Sequence, residues 1–183
     1  MLLFTAFSTE HATFEKEWTH RNFERWIVQK SVPESFVFEK RMAYHIFFHR
    51  HLALVLFRDS NEHTDQELKF KEIAARLKKQ PHHEEVFFVI ADVENNDQKK
   101  IADMVGISKE QMPVLALIHP QEKGGIDKYI LSDADSIDAS LTFEGLESFL
   151  ANHKNGTLKR HLRVQEQEPG VYFNGSIYEV RGH

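Results

Sequence analysis

The chain has 183 residues, of which 41% are hydrophobic and 28% charged, and its formal net charge at pH 7 is −5. This length fits one generous domain with flanking extensions, and the acidic balance argues against a nucleic-acid partner. No apolar run approaches the roughly 18 residues that a membrane helix needs, so no membrane partner is expected. The chain has no cysteine, which excludes disulfides, thiolate-based zinc and Fe–S sites, and a cysteine nucleophile.

Five short apolar runs predict β-strands. Four of them lie at residues 36–38, 52–57, 86–91 and 114–118, and a weaker one follows at 128–131. The longer runs are continuously apolar rather than alternating, which is typical of strands that are buried on both faces of a sheet. Gly124 and Gly125 separate the last two runs, so these runs predict an antiparallel hairpin.

Helical periodicity fills the segments around these runs. The predicted helices lie at residues 14–30 (in one or two pieces), 43–51, 65–79, 97–105 and 142–153. In the helix at 65–79, Leu68, Ile73 and Leu77 form the expected apolar stripe. Gly106 is placed to end the helix at 97–105. Strands that alternate with helices predict an α/β protein with a mainly parallel sheet covered on both faces.

Several local sequences resemble the b′ domain of protein disulfide isomerases. The resemblance lies in a buried strand that ends in Asp92, the helix and Gly-Ile turn that follow it, and Pro113 before the next strand. The segment 146–169 is similar to the last helix and exit sequence of that domain, with Val164 in place of the family's serine. The opening residues LLFTAF resemble the final strand of a preceding b domain.

This resemblance covers nearly the whole chain and implies an α/β, thioredoxin-like fold with a central mixed sheet flanked by helices. It divides the chain into residues 1–20, the end of a b-type domain and its connector, residues 21–163, the b′-type domain, and residues 164–183, a linker or C-terminal extension. It also implies a cis peptide bond before Pro113, whose backbone faces the active-site region in this family. A proline is tolerated at the start of a strand because no ladder hydrogen bond is lost there.

In thioredoxin-fold oxidoreductases a Cys-x-x-Cys motif begins the first long helix, where the helix dipole lowers the pKa of a thiol. The corresponding place in this chain is expected at residues 40–44, which contain no cysteine. The chain is therefore not expected to be an enzyme, and it has no predicted catalytic residue, cofactor or metal. Disulfide exchange would belong to other domains of a full-length disulfide isomerase, which are expected partners of this one.

The resemblance implies instead a binding site for unfolded or partly folded polypeptides, in the lumen of the endoplasmic reticulum. Ile46 and Phe47 match an Ile-Phe pair that lines the family's site. The full predicted lining is Phe36, Phe38, Ile46, Phe47, Phe48, Met104 and Val105. Aromatic and methionine side chains suit a promiscuous surface because they combine large apolar area with adaptable shape. Ordinary core packing is the alternative for each of them, and it is favoured for Phe36 and Phe38.

Three histidines raise the question of a metal site. His45 and His49 share one face of a predicted helix at spacing i, i+4, and His51 follows them. No acidic third ligand is fixed nearby, so solvated imidazoles are the favoured interpretation. Residues 82–83, two histidines after a proline, are expected to be exposed to solvent.

Asp133, Asp135 and Asp138 form a loose acidic run. An EF-hand loop needs glycine at its sixth position, and this run lacks it. A solvated loop is therefore favoured over a calcium site.

Other interpretations stay open. The chain can be a stand-alone chaperone-like or scaffold protein that recruits one partner, or a piece of an active disulfide isomerase. It can also be a calsequestrin-like calcium-binding protein, although a net charge of only −5 argues against calcium storage. The apolar residues 171–173 can fill the binding site of their own chain or of a second copy, which would make a homodimer.

Overall fold

A computed structural model of the protein describes residues 2–3, 5, 12–121, 124–131, 137–161, 172–173 and 180–181. The helices are α1 His20–Lys30, α2 Lys40–Phe47, α3 Thr64–Lys78, α4 Asn96–Val105, α5 Ile137–Ser140 and α6 Phe143–Lys154. The strands are β1 Leu2–Leu3, β2 Ala12–Thr13, β3 Phe36–Val37, β4 Ala53–Arg58, β5 Phe87–Asp92, β6 Val114–Pro120, β7 Ile126–Leu131, β8 Tyr172–Phe173 and β9 Val180–Arg181. Short 3-10 turns lie at Pro81–His83 and Lys109–Gln111.

The central sheet has five strands in the order β3–β5–β4–β6–β7. Strands β3, β5 and β4 run parallel, whereas β6 and β7 are antiparallel to their neighbours. The predicted hairpin is therefore confirmed, and both of its turn glycines, Gly124 and Gly125, have positive φ angles of 82° and 84°. The β1–β2 and β8–β9 pairs form separate two-stranded sheets.

Two hydrophobic cores lie on the two faces of the sheet. One core lies under α2 and α4, where Ile46 and Val105 meet alternate residues of β4 such as Val55. The other lies under α3 and α6, where Phe70 and Leu146 meet the intervening strand residues. The prediction of central strands buried on both faces is confirmed, because every residue of β4 is buried.

Two predicted helices differ from the structure at their ends. Helix α1 begins at His20 instead of residue 14, because Thr19 is extended and its Oγ1 accepts a hydrogen bond from the Asn22 N–H at 3.1 Å. Helix α2 begins and ends earlier than the predicted 43–51, and the chain leaves it through Arg50, which has a φ of 55°. In the described part of the chain no helix is long and apolar enough to cross a membrane.

The apolar stripe of α3 was also predicted incorrectly in one position. Leu68 is 54% exposed, and the stripe that packs on the sheet consists of Phe70, Ile73, Ala74 and Leu77. These four residues follow the i, i+3, i+4, i+7 spacing of one helix face, whereas the step from Leu68 to Ile73 turns the side chain about 140° away.

We predict that Leu54→Ala lowers the free energy of unfolding by about 2–5 kcal/mol, because it opens a cavity in a fully buried position of β4. Leu68→Ala is the matched control, and it is expected to change stability by no more than about 0.5 kcal/mol. Urea denaturation at pH 7 measures both. Equal losses in the two variants would contradict this assignment of core and surface.

Candidate functional site

The cis peptide bond between Met112 and Pro113 marks one end of the sheet. Val114 pairs with Phe57, so Pro113 lies beside the end of β4, where the chain turns into α3. Helix α3 has 15 residues and α2 has 8. The first long helix beside this proline is therefore α3, and the prediction of the thiol position at residues 40–44 was wrong. Residues 59–64, which lead into α3, contain no cysteine either.

A buried ion cluster occupies this end of the sheet. Nε of Arg58 lies 2.5 Å from a carboxylate oxygen of Glu67 on α3, and Nη1 lies 3.1 Å from a carboxylate oxygen of Asp92 on β5. Neither nitrogen has a hydrogen-bond partner among the described residues, so these are charge contacts. Burial of a guanidinium requires opposite charge nearby, and the two carboxylates supply it.

The electrostatics of the cluster favour ionised carboxylates. Burial raises the pKa of Asp92, but hydrogen bonds from Ser60 and the Glu94 backbone, together with the positive charge of Arg58, outweigh burial and lower this pKa overall. The pKa of Glu67 is lowered in the same way, with Lys71 and Arg58 opposing the effect of burial. Asp92, at the end of the buried strand β5, is thus a partly desolvated carboxylate, as its position in the sequence suggests.

A second pair of charges extends this cluster toward solvent. Nζ of Lys109 lies 3.5 Å from a carboxylate oxygen of Asp59 and also pairs with Glu94. The Asn61 N–H donates a hydrogen bond of 2.9 Å to Asp59 and is the main reason for the lowered pKa of this carboxyl. Sequence reasoning missed the cluster, although the direct succession of an apolar run, Arg58 and Asp59 was a usable signal.

The other candidate surface belongs to α2 and α4. These helices cover the same core, and Nζ of Lys40 lies 3.3 Å from a carboxylate oxygen of Asp97, which links their N-terminal ends. Phe36, Phe47 and Met104 are partly buried and pack against this core.

The remaining predicted lining residues do not share one environment. Phe38, Ile46 and Val105 lie fully inside the core, so they support the surface rather than form it. Phe48 is 63% exposed at the end of α2. The structure therefore separates the predicted set into three core residues, three half-buried residues and one exposed ring.

An exposed aromatic pair stands out on α2. The rings of Tyr44 and Phe48 are stacked, with centroids 4.6 Å apart and planes inclined by 13°. Both side chains are largely exposed, at 48% and 63%. Tyr44 was absent from the predicted set, although its i, i+4 relation to Phe48 is visible in the sequence. Stacked rings that face water offer apolar area to a partner.

A cleft of about 290 Å³ adjoins this pair, and its lining includes Phe48, His49, Arg21 and Glu24. Nε2 of His49 lies 3.7 Å from a carboxylate oxygen of Glu24. The ring of His45 stacks on that of His49 with centroids 5.7 Å apart, and burial, followed by the charge of His49, lowers the pKa of His45. These imidazoles are partly enclosed rather than freely solvated.

His51 is buried against Phe87, with ring centroids 4.6 Å apart. Neither of its ring nitrogens has a hydrogen-bond partner among the described residues. Burial, aided by Arg25 and His49, lowers its pKa to about 4. The expectation of a solvated imidazole was therefore wrong for this position.

The remaining titratable candidates also differ from expectation. His82 is half-exposed, but His83 is only 4% exposed, because the 3-10 turn directs it inward. Asp138 lies on α5 and pairs with Lys69 at 3.1 Å. Residues 133 and 135 of the acidic run lie outside the described residues.

Comparison with known proteins identifies the family to which this chain belongs. A family model described as a thioredoxin-like domain matches residues 1–152, and the chain belongs to this family. The predicted thioredoxin-like fold is confirmed by this match and by solved structures. Crystal form II of human ERp44 aligns over 85% of this chain and 39% of its own, with a TM-score of 0.54 and 18% identity. Form I of the same protein gives a TM-score of 0.54 at 16% identity, over 82% and 37%.

The sequence is similar to protein disulfide-isomerases, which confirms the predicted resemblance to that family of proteins. Over 169 residues, 91% of this chain, it is 27% identical to the protein from Drosophila melanogaster and 28% identical to that from Oryctolagus cuniculus. The aligned part makes up 32% and 31% of those proteins. The chain thus spans about a third of the length of these relatives.

We predict that Arg58→Met lowers the free energy of unfolding by about 3–5 kcal/mol, because Glu67 and Asp92 lose their shared opposite charge. Arg41→Met is the control, because this side chain is 79% exposed and pairs only with Glu39 at the surface among the described contacts. The control is expected to stay within about 0.5 kcal/mol of the parent. Urea denaturation at pH 7 separates the two, and a neutral Arg58→Met variant would show that the cluster does not stabilise the fold.

We predict that the free energy of unfolding decreases as the pH is lowered below about 6.5, because His51 in the unfolded chain takes up a proton near that value. In the folded protein the His51 ring stays neutral until the pH approaches its pKa of about 4. The stability that this neutral ring contributes is therefore lost progressively between about pH 6.5 and pH 4. His51→Phe keeps the stacking on Phe87 and is expected to make the pH slope between 6.5 and 4 shallower. His20→Asn, at a side chain that is 94% exposed, is the control. Thermal unfolding at several pH values measures the slopes, and identical slopes for the parent and His51→Phe would contradict the prediction.

Proposed function

We propose that this chain is a redox-inactive, b′-type domain that binds unfolded or partly folded polypeptides. The observation that carries the proposal is the stacked, exposed pair of Tyr44 and Phe48 on α2, in a chain without cysteine. Two adjacent exposed rings form a contiguous apolar patch, and such patches mark interaction surfaces. The similarity to protein disulfide-isomerases supports polypeptides as that partner.

The apolar surface that we propose combines this pair with the half-buried side chains on the same face of the sheet, Phe36, Phe47 and Met104. Phenylalanine and methionine side chains adapt to different side chains of a partner. A surface with few polar groups does not fix the bound polypeptide in one orientation. Such a surface is expected to bind weakly and broadly, because each bound segment loses conformational freedom that a small apolar area only partly offsets.

The end of the sheet beside Pro113 is not part of the proposed surface. Arg58 pairs with both Glu67 and Asp92 there, and the absence of a thiol leaves no group for disulfide exchange. The division of labour that we propose has this domain hold a polypeptide while other domains of a disulfide isomerase supply the thiols. The setting that we propose is the lumen of the endoplasmic reticulum.

Several predictions from the sequence remain open. They include the domain boundaries at residues 20/21 and 163/164 and a homodimer through the C-terminal tail. Tyr172 and Phe173 pair with Val180 and Arg181 in a short antiparallel ladder, and most of this tail lies outside the described residues.

We predict that the double variant Tyr44→Ser/Phe48→Ser binds an unfolded polypeptide roughly tenfold more weakly, since two hot-spot rings lose their apolar area. Both side chains are exposed, so the variant should fold normally. The measurement is fluorescence anisotropy of a labelled, reduced and carboxymethylated protein titrated with the 183-residue chain.

Leu68→Ser provides the matched control, because it removes an equally exposed apolar side chain from α3, on the other face of the sheet. Its affinity should equal that of the parent. If the control weakens binding as much as the double variant, binding is unspecific and the proposed surface is wrong. If neither variant changes the affinity, the polypeptide binds elsewhere.

A further inference from the structure

A second group of side chains comes together on the opposite face of the sheet, between the turn Pro81–His83 and helix α6. One ligand atom each from His82, His83 and Glu147 lies within 4.8 Å of the others. Nε2 of His82 is 3.9 Å from Oε1 of Glu147, and the two imidazole rings lie side by side with centroids 4.1 Å apart. Two ligands at about 2.0 Å from a tetrahedral zinc ion are about 3.3 Å apart, so small rotations close this gap.

His83 supplies an independent observation that points to a ligand. Its side chain is 96% buried, and its Nε2 has no hydrogen-bond partner among the described residues. A buried polar atom without a partner costs free energy, and native proteins rarely leave one unexplained. This buried ring nitrogen is therefore available as a ligand for a cation.

Hydrogen bonds and core packing fix the backbone that carries these three side chains. Pro81 opens the 3-10 turn, the His83 N–H donates to the Gln80 carbonyl at 3.0 Å, and the Val86 N–H donates to the His83 carbonyl at 3.1 Å. Glu147 follows Leu146, which is fully buried and fixes this turn of α6 on the core. Ligands on fixed elements lose little freedom on binding, which favours a defined site.

We propose that His82, His83 and Glu147 form a binding site for Zn²⁺. Two imidazoles and one carboxylate are a ligand set that suits zinc, and water would complete the tetrahedron. Mg²⁺ and Ca²⁺ prefer sets made only of oxygen ligands, so they should bind poorly. The site is separate from the polypeptide surface proposed above, because it lies on the face covered by α3 and α6. The bound ion would tie the turn Pro81–His83 to α6 and stabilise the domain by an amount that rises with the logarithm of the free Zn²⁺ concentration above the Kd.

Lys154 opposes the ion. It lies on α6 seven residues after Glu147, on the same face of the helix, and its positive charge would repel a divalent cation. The affinity should therefore be moderate, and removal of this charge should increase it.

Isothermal titration of the untagged 183-residue chain with ZnCl₂ tests the site. We expect one Zn²⁺ per chain, bound with moderate affinity. His82→Ala and Glu147→Gln, both at half-exposed positions, should each weaken binding at least roughly tenfold. Lys154→Gln should tighten it, and MgCl₂ and CaCl₂ should give no comparable heat.

The double variant His45→Asn/His49→Asn is the control for adsorption to other histidines. Its affinity for Zn²⁺ should match that of the parent, and long-range ¹H–¹⁵N spectra of the parent should show the imidazole shifts at His82 and His83. If the control abolishes binding, or if His82→Ala and Glu147→Gln bind as the parent does, the site is refuted. Several weak sites that respond equally to every histidine removed would refute it as well. None of these outcomes depends on polypeptide binding.

Discussion

The burial of both faces of β4 is the constraint on which the rest of the structure depends. Side chains alternate along a strand, so Ala53, Val55 and Phe57 enter one core, and Leu54 and Leu56 enter the other. Each face needs its own helical cover, because an apolar face left in contact with water would contribute no burial free energy to folding. Helices α2 and α4 cover one face, and α3 and α6 cover the other. The crossovers that carry these helices in turn require β3, β5 and β4 to run parallel.

The same alternation brings the buried charges together. Arg58 continues the side of β4 that carries Leu56, and Asp92 lies opposite Arg58 in the neighbouring strand. Helix α3 covers this side and contributes Glu67. The position of the ion cluster thus follows from the alternation of side chains along β4 and from the pairing of Arg58 with Asp92. The cluster ties the ends of β4 and β5 to the first turn of α3.

The sequence allowed the element order, the hairpin and the two-sided burial to be predicted, because continuous apolar runs separated by helical periods have few alternative structures. It predicted the site less well. Ile46 and Phe48 are both apolar residues near the end of one short helix, yet one is fully buried and the other is mostly exposed. Their difference depends on how α2 is rotated against the sheet, and periodicity over so few residues fixes that rotation poorly. His83 was missed for a related reason, because only tertiary packing shows which of two adjacent histidines points inward.

The two proposed sites lie on opposite faces of a close-packed sheet, and this separation limits how they can influence each other. A cation between His83 and Glu147 would act on the α3/α6 side, whereas Tyr44 and Phe48 lie on α2. Coupling between distant sites needs an element with two alternative arrangements, and a strand buried on both faces, such as β4, has only one well-packed position. Zinc should therefore raise the stability of the domain without changing the affinity of the aromatic surface. Because no thiolate is available, nitrogen and oxygen ligands alone would hold the ion. Such a site should release zinc more readily than the cysteine sites that serve as permanent structural elements.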